Sequence, residues 1–375
     1  MAMTGDFFSF HQGSRFTIGV EIEFQIIDAN DCSLVPLGPH LLNLAPLLLR
    51  PRLALELIKS MLEIQTGICH DVRDVENDLL QTCSLAEELA ADNGCLLYAA
   101  SLHPFARAAS QELTDDTRFA RIMDELQVIG RRFISQGLHV HIGLPDGDTA
   151  IRVCNEIQAF LPVFLALSTS SPFFQAKDTG FMSYRTKLFE VLPMAGIYDF
   201  LPDWRSFVAE LDNLRRHGII ETIHDLWWDA RPNGTLGTVE IRICDLPTRF
   251  SDILAIVALI QATVAWLADS CPEARPLRGT LLRANKWQAA RYGLEGRFVD
   301  PTGKLGSHAM NLRLAAMLLK RKVSELADQL HSATYLEHLD SIISGGTGAD
   351  LQRRVYHKSG QFKEVIRTVQ NGFWK

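Results

Sequence analysis

The chain has 375 residues, of which 47% are hydrophobic and 22% are charged, and its formal net charge at pH 7 is -7. These proportions are typical of a soluble globular protein of enzyme size that can bury a large core. The acidic balance, with neither a basic cluster nor an interleaved aromatic stripe, argues against a nucleic-acid-binding protein.

The cysteines and the apolar segments favour a reduced, cytoplasmic location without a membrane partner. Seven cysteines, at positions 32, 69, 83, 95, 154, 244 and 271, form no CxxC pair and do not resemble a disulfide framework or a zinc ribbon. The N-terminal segment MAMTGDFFSFHQ lacks the basic and apolar regions of a secretion signal. The longest apolar run, Ile253 to Ala268, contains Gln261 and Thr263 and is short for a bilayer span, so it predicts a buried helix.

The first strong structural signal is the segment from Phe16 to Ile27, which reads FTIGVEIEFQII. Apolar residues alternate with Thr, Gly, Glu and Gln, and this period of two predicts a strand with one face on a core. The other face would carry Glu21 and Glu23, roughly 7 Å apart at about 3.3 Å of rise per residue. Two carboxylates so close repel each other unless solvent, a cation or a basic side chain separates them. Alone, the pair also fits a solvated surface strand.

The rest of the chain is predicted to contain further strands and amphipathic helices. In chain order the periodicity predicts a turn at 28–31, a strand at 61–66, a helix at 74–92 followed by Gly94, a strand at 95–101, a helix at 117–134, a strand at 137–144, a helix at 148–167 interrupted by Pro162, a loop-rich segment at 168–203, a strand at 238–244, a helix at 251–269 capped by Ser251, and helices from Pro276 onward. We find no internal repeat, low-complexity tract or Pro/Ser linker. We therefore expect one α+β domain over residues 1–375, sheet-rich at about 16–300 and helical at about 301–375.

Four of the predicted strands share one design, with an apolar face and a polar face. The polar faces carry Glu21/Glu23, Glu63/Gln65, His139/His141 and Glu240/Arg242. A sheet with one face on a core and helices behind it would gather these side chains on its open face. The sequence thus predicts an oxygen-rich site for Mg²⁺ or Mn²⁺, because that many carboxylates would otherwise repel one another strongly.

The histidine pair His139 and His141 admits a second interpretation. Histidines two residues apart on a strand can both bind one zinc ion, as in a metal-dependent hydrolase. Zinc sites usually need only one carboxylate, however, and here the acids outnumber the histidines. A carboxylate-rich site with arginines is more typical of phosphoryl transfer, in which metal ions bridge phosphate oxygens and arginine neutralises the transition state. The chain has neither a Walker A motif nor a kinase-type glycine motif, so metals and basic side chains would hold a nucleotide.

Several ordered motifs carry a resemblance to a known family. They are GVEIEF at 19–24, GLHVHIG at 137–143, SYRTKLFEVLPMAGI at 183–197, TVEIRICD at 238–245, NKWQAARYGLEG at 285–296 and RRVYHKSGQFKEVI at 353–366. Together they resemble the glutamate–cysteine ligase type 2 family, and most closely its bacterial carboxylate–amine ligase branch. The resemblance implies a glutamine-synthetase-like catalytic fold, in which a curved antiparallel sheet has helices on its convex side and holds ATP and metal ions in its concave funnel.

The resemblance also implies a reaction and a set of site residues. ATP would phosphorylate a substrate carboxylate, and an amine would displace phosphate to leave an amide of the γ-glutamyl type, with weak glutamate–cysteine ligase activity as one form of this reaction. The implied roles are metal binding by Glu21, Glu23, Glu63, His139 and Glu240, catalysis by Glu240 and Arg242, nucleotide binding by Arg242, Lys286 and Arg291, and substrate binding by Arg185 and His141. In this scheme Arg242 lies against the transferring phosphoryl group, and Arg185 takes the carboxylate of the acceptor amino acid.

Alternatives remain at the level of sequence. Arg185 could instead form a surface salt bridge, and Lys286 and Arg291 could be solvated cations on a helix. The motif SYRTK is followed by Ile197-Tyr198-Asp199, where the branch is expected to have a proline after the isoleucine, so the amine pocket would differ in shape. The alternatives to a ligase are the hydrolase and a catalytically silent metabolite-binding homologue. The sequence does not identify the acid, the amine, the number of metal ions, which of the two histidines binds metal, or whether the chain forms a homo-oligomer.

Overall fold

A computed structural model describes residues 9–270 and 274–375. Residues 1–8 of the N-terminal segment and Cys271 lie outside the described residues. The strands are β1 (Ile18–Asp28), β2 (Leu53–Leu55), β3 (Met61–Gln65), β4 (Cys95–Tyr98), β5 (Gly137–Gly143), β6 (Phe173–Phe174), β7 (Lys177–Asp178), β8 (Ala230–Asn233), β9 (Thr238–Asp245), β10 (Arg297–Phe298) and β11 (Met310–Asn311). The helices are α1 (Gly38–Leu44), α2 (Val72–Asp92), α3 (Thr117–Leu126), α4 (Gly147–Ile157), α5 (Leu161–Ser168), α6 (Arg185–Phe189), α7 (Trp204–Arg216), α8 (Phe250–Ser270), α9 (Gly279–Tyr292), α10 (Leu312–Gln329), α11 (Ala333–Glu337), α12 (Leu339–Gly345), α13 (Gly348–Ser359) and α14 (Phe362–Gly372).

Within residues 9–270 and 274–375 the main sheet has seven strands, and every pair in it is antiparallel. Its order is β2-β3-β1-β5-β9-β8, and β4 pairs with the second half of β1. The strand register places the following residues directly opposite one another: Glu23 and Glu63, Glu21 and His139, His141 and Glu240, and Arg231 and Glu240. Side chains opposite each other on one face of an antiparallel pair lie about 4.5–5.5 Å apart at Cβ, so the pairing itself assembles the charged cluster.

The other face of the sheet packs on helices, chiefly through β1, β5 and β9. Ile18, Val20 and Ile22 of β1 are almost fully buried there, as are Leu138 and Val140 of β5. Helices α2, α4, α5 and α8 contact these strands. The α+β prediction, a sheet with helices on one face, is therefore confirmed.

Helix α8 is the centre of this core. It is apolar and, at 21 residues, long enough to cross a membrane, but 94% of its most apolar window is buried inside the protein. Two of its polar side chains donate hydrogen bonds inside the protein, Gln261 Nε2 to Phe16 O at 3.0 Å and Thr263 Oγ1 to Leu259 O at 2.7 Å. The prediction of a buried helix is confirmed, whereas Ser251 is not its cap because the helix begins at Phe250.

The predicted helix at 117–134 is wrong beyond Leu126. Gln127 adopts a left-handed φ of 51°, which ends α3, and a short 3-10 turn follows at Gly130–Arg132. The predicted helix at 148–167 is divided into α4 and α5, which meet at a bend of 65°. Helix α2 begins two residues earlier than predicted, because Asp71 accepts a hydrogen bond from Asp74 N and caps it.

Candidate active site

The open face of the sheet borders a cavity of about 350 Å³. All eight side chains of the four predicted polar faces line it: Glu21, Glu23, Glu63, Gln65, His139, His141, Glu240 and Arg242. Six further polar residues line it that the sequence analysis did not single out: Glu56, Arg118, Ser135, His224, Arg231 and Asn233. A cavity of this volume is of the size that binds small molecules in proteins.

Two overlapping sets of side chains in this cavity have the spacing of metal ligands. One set is Glu21, His139 and Glu240, and the other is Glu23, Glu63 and His139, with donor atoms within 4.8 Å of one another in each set. His139 belongs to both, since its Nδ1 lies 3.0 Å from Glu21 Oε2 and its Nε2 lies 3.9 Å from Glu23 Oε1. Carboxylate oxygens that dominate such sets are the ligands that Mg²⁺ and Mn²⁺ prefer. The donor chemistry of this face therefore fits the predicted metal site.

Three carboxyl groups that border the cavity have raised pKa values, because burial and neighbouring negative charges outweigh the nearby positive charges. Burial and the negative charge of Glu63 raise the pKa of Glu23 to about 8, and burial together with Glu23 raises the pKa of Glu56 to about 8. Burial and the neighbouring Glu56 also raise the pKa of Glu63 well above its ordinary value. A bound cation would favour the ionised forms of these groups, so their environment also fits a metal site.

His139 and His141 both contact Glu21, and their pKa values are shifted in opposite directions. Burial opposes ionisation of Glu21, but hydrogen bonds with His139 and His141 outweigh it and lower the pKa of Glu21. Burial and the charge of Arg242 lower the pKa of His139 to about 4, which leaves its imidazole neutral and able to bind metal at neutral pH. Burial also disfavours the cationic form of His141, but Glu240 and Glu21 outweigh it and raise the pKa of His141. Because this favours the protonated imidazole, His139 is the better candidate for a metal ligand.

Glu240 lies between two arginines and is almost fully buried. Its Oε2 accepts a hydrogen bond of 2.7 Å from Arg231 Nε, and its Oε1 accepts one from Arg242. Burial opposes ionisation of Glu240, but Arg231 and Arg242 outweigh it and hold the pKa of Glu240 well below its ordinary value. Arg242 and Glu240 thus form an ion pair on one face of β9.

The remaining predicted residues lie at different distances from the cavity. Arg185 and Lys286 are buried and line a narrow side cavity, which Arg242 also borders. Lys286 Nζ lies 2.6 Å from Asp229 Oδ2, and the Arg185 guanidinium donates to two carbonyl oxygens of β9. Arg291 lines neither cavity among the described residues, because its guanidinium donates to Gly180 O and lies 4.9 Å from the centre of the Tyr292 ring, and its predicted contact with the nucleotide stays a prediction.

Two features make room for the Arg185 side chain and fix its backbone: a glycine at position 137 and hydrogen bonds to nearby serines. A Cβ atom at Gly137 would collide with the Arg185 guanidinium, so a glycine is needed at the start of β5. The backbone N–H of Arg185 donates to Ser171 Oγ, and Ser171 and Ser183 donate to the buried carboxylate of Asp245. Arg185 is thus a buried cation in a prepared site and not part of a surface salt bridge.

Comparison with known proteins identifies the family. A sequence model described as glutamate–cysteine ligase family 2 matches residues 17–371. The chain belongs to this family. The resemblance noted in the motifs is therefore confirmed, and the family places the protein among the ATP-dependent ligases that form C–N bonds.

Members of glutamate–cysteine ligase family 2 match the chain over nearly its full length. "Putative glutamate–cysteine ligase 2" of Gloeobacter violaceus is 36% identical over 97% of this chain and 98% of its own. The protein of the same name from Herpetosiphon aurantiacus is 34% identical over 95% of this chain and 92% of its own. The family assignment thus covers both the sheet-rich and the helical parts.

Solved structures share the fold at low sequence identity. Glutamate–cysteine ligase of Francisella tularensis, solved in complex with AMP, matches with a TM-score of 0.71 and 13% identity over 97% of this chain and 89% of its own. A bifunctional glutathione synthetase of Pasteurella multocida matches with a TM-score of 0.70 and 12% identity over 95% of this chain and 52% of its own. The predicted fold class is confirmed by these similarities.

Proposed function

We propose that this ligase joins a carboxylic acid to an amine through an acyl phosphate. A carboxylate oxygen of the acid attacks the γ-phosphorus of ATP, and ADP leaves. The amine nitrogen then attacks the acyl carbon, inorganic phosphate leaves, and the nitrogen loses a proton. The observation that carries the proposal is the presence of two overlapping carboxylate–imidazole sets and Arg242 in one cavity of about 350 Å³.

The metal-binding roles follow from the two sets. Glu21 and Glu240 would hold one divalent cation and Glu23 and Glu63 a second, and His139, whose neutral imidazole has one free nitrogen lone pair, would be a ligand of one of the two. The charge of such cations would offset the negative charge of the ATP phosphates. Magnesium is the physiological candidate, and manganese has the same preference for oxygen ligands.

Arg242 is proposed to stabilise the transferring phosphoryl group. Its planar guanidinium can contact two phosphate oxygens at once, which lysine cannot do. Arg242 now pairs with Glu240, but Glu240 also binds Arg231, so Arg242 can move to a phosphate without leaving Glu240 unpaired. Arg231 is therefore proposed as the residue that holds Glu240 in position.

The substrate roles are proposed from position and charge. Arg185 would bind a carboxylate of the amine substrate, because its Nε is buried without a hydrogen-bond partner and its side chain borders the side cavity. Lys286 would assist the nucleotide from that cavity, and His141 would lie beside the reacting groups. From the names of the relatives, glutamate is proposed as the acid, with cysteine as an amine that gives weak activity, and a cytoplasmic location is proposed with them.

The test uses the purified full-length chain with ATP, Mg²⁺ and pairs of acids and amines. Release of ADP and phosphate should require both members of a pair, and the product mass should equal acid plus amine minus water. An acid labelled with ¹⁸O in its carboxylate should transfer one ¹⁸O to inorganic phosphate. Activity that needs no amine would favour a hydrolase, and amide formation without ¹⁸O transfer would contradict the acyl phosphate.

A further inference from the structure

One part of the active-site cavity is apolar, and the proposed chemistry does not use it. Twelve apolar side chains also border the cavity, and we call six of them the apolar wall: Ile122, Leu126, Phe133, Phe189, Leu192 and Trp227. Metal ions, phosphates and carboxylates gain nothing from such surfaces. The wall therefore fits an uncharged, apolar part of a ligand.

The apolar wall is held in place by packing. Ile122, Phe133 and Leu192 are each less than 10% exposed, and Phe133 and Leu192 belong to a hydrophobic cluster behind the cavity. The ring centres of Phe133 and Phe189 are 5.2 Å apart with an edge-to-face orientation, and those of Phe189 and Trp227 are 6.1 Å apart. The three rings thus form a continuous aromatic surface with a fixed shape, which is suited to a rigid apolar group.

The aromatic surface continues to a buried cation. Phe189 and Trp227 border both the main cavity and the side cavity that contains Arg185. The Arg185 guanidinium carbon lies 4.7 Å from the centre of the Phe189 ring, and the Arg185 Nε is buried without a hydrogen-bond partner. A molecule with a carboxylate for Arg185 and an apolar group for the rings would satisfy both features at once.

Resting on the proposed ligase function, we infer that the amine substrate carries a large apolar side group, and that the apolar wall binds this group. Aromatic and large aliphatic amino acids have the required combination of an amine, a carboxylate and an apolar side chain. A cysteine side chain is too small to cover six apolar residues, so it would leave most of the wall in contact with water. Hydrophobic pockets discriminate by about 10- to 200-fold per methylene group, which makes a measurable preference expected.

The preference can be measured by binding, independently of turnover. Calorimetric titrations of the full chain with L-phenylalanine, L-leucine, L-cysteine and L-alanine would be made in Mg²⁺, glutamate and a non-hydrolysable ATP analogue. We expect phenylalanine and leucine to bind at least about 10-fold more tightly than alanine and cysteine. Equal affinities, or tighter binding of cysteine, would overturn the inference. Separately, the absence of ADP formation with every acid–amine pair would overturn the ligase proposal. The titrations would still show whether the apolar wall binds an apolar amino acid.

A pair of tryptophan variants tests whether the wall binds the amine or the adenine of ATP. Trp227→Ala should weaken phenylalanine binding by about 10-fold or more and leave the affinity for the ATP analogue unchanged. Trp374→Ala is the matched control, because Trp374 is 40% exposed and its indole N–H donates to Glu87 far along the chain. Loss of analogue binding with unchanged phenylalanine binding in Trp227→Ala would assign the wall to adenine and overturn the inference. Leu126→Ala removes a half-buried wall residue and provides the same comparison if Trp227→Ala does not fold.

Discussion

Glu240 differs from most carboxylates of this site because buried arginines neutralise it. Arg231 binds it from the neighbouring strand, and Arg242 binds it from the same strand. Glu23 and Glu63, in contrast, lie opposite each other in the register, and each has a raised pKa. One acidic cluster therefore contains a residue that stabilises the metal-free fold and two that stabilise it only while protonated.

The first prediction compares Glu240→Ala with Glu23→Gln in the absence of metal. Glu240→Ala should lower the free energy of unfolding by about 3–5 kcal/mol, because it leaves the buried guanidinium of Arg231 unpaired. Glu23→Gln should preserve or raise stability, because the amide oxygen can still accept the hydrogen bond from Gly137 N and the charge is removed. Urea denaturation at pH 8 in EDTA measures both. Equal stability of the wild-type and Glu240→Ala proteins would contradict the structural role of this ion pair.

The second prediction compares the two arginines that bind Glu240. Arg242→Lys should lower kcat by on the order of 10²-fold or more with little change in the KM for ATP, because its contact is expected to form in the transition state. Arg231→Lys is the matched variant, and it should chiefly lower stability, because Arg231 also donates to the carbonyl oxygens of Ile223 and Leu226. Steady-state kinetics and thermal unfolding of both variants separate these effects. A near-normal kcat in Arg242→Lys would remove Arg242 from the catalytic residues.

At the scale of elements, the strands that carry the site could be predicted because one face of each strand meets apolar residues and the other meets polar ones. β1, β3, β5 and β9 each have one face on the core and one on the cavity, which imposes a period of two. β8 has no such signature, since its sequence is ARPN, and the sequence analysis therefore missed Arg231. Glu56 and His224 lie outside helices and strands with a clear period and were missed for the same reason.

Two differences from the sequence predictions have a geometric cause within helices. Lys286 and Arg291 are five residues apart on α9, which at 3.6 residues per turn separates them by about 140° around the axis, so Lys286 borders the side cavity and Arg291 does not. The apolar spacing that predicted a helix to 134 continues past Leu126, but the backbone turns at Gln127 with a positive φ. Periodicity reports which residues face apolar surroundings, and it does not detect a turn that preserves this pattern.

The third prediction concerns the acidic face of β1 and β3 and its pH dependence. The raised pKa values of Glu23 and Glu63 mean that the folded protein binds more protons than the unfolded chain above the ordinary carboxyl pKa. The stability that these groups contribute is therefore lost as pH rises, by on the order of 1 kcal/mol per pH unit for each group that deprotonates. The lowered pKa of His139 acts in the opposite direction, but only below its ordinary value of 6.5.

We accordingly expect the free energy of unfolding in EDTA to fall between pH 6.5 and pH 8.5. Urea titrations at these pH values measure the slope, and Glu23→Gln should flatten it by removing one of the titrating groups. Excess Mg²⁺ should also flatten it, because the ionised carboxylates would then have a cation as partner. If the free energy of unfolding in EDTA instead rises with pH, the pKa values of Glu23 and Glu63 are not raised in the folded state.

At the scale of the whole molecule, the helical C-terminal part shares its core with the sheet-rich part. Leu312 and Leu319 of α10 are fully buried in the same hydrophobic cluster as the apolar face of the sheet. Phe250 N at the start of α8 donates to Phe373 O at 2.7 Å, and Gln352 Nε2 donates to Ser170 O at 2.6 Å. These contacts between described residues favour the prediction of one domain over residues 1–375, in which the strands of the proposed metal site and the C-terminal helices would form one cooperative unit.

The last prediction is that the full chain unfolds in one transition that Mg²⁺ shifts as a whole. A ligand that binds only the folded state raises the free energy of unfolding by about 2.7 kcal/mol at 100 times its Kd. Because the elements of a cooperative unit unfold together, all of them are stabilised by this amount. Calorimetry would follow the whole molecule, while pulsed hydrogen exchange of α10 to α14 along the same temperature ramp would report on the helical part. Both should give the same midpoint in EDTA and the same higher midpoint in Mg²⁺.

A chain that ends at residue 300 should fail to fold, because it would expose the surfaces that α10 and Phe373 now cover. Two separate transitions, only one of which responds to Mg²⁺, would instead show that the helical part is an independent domain.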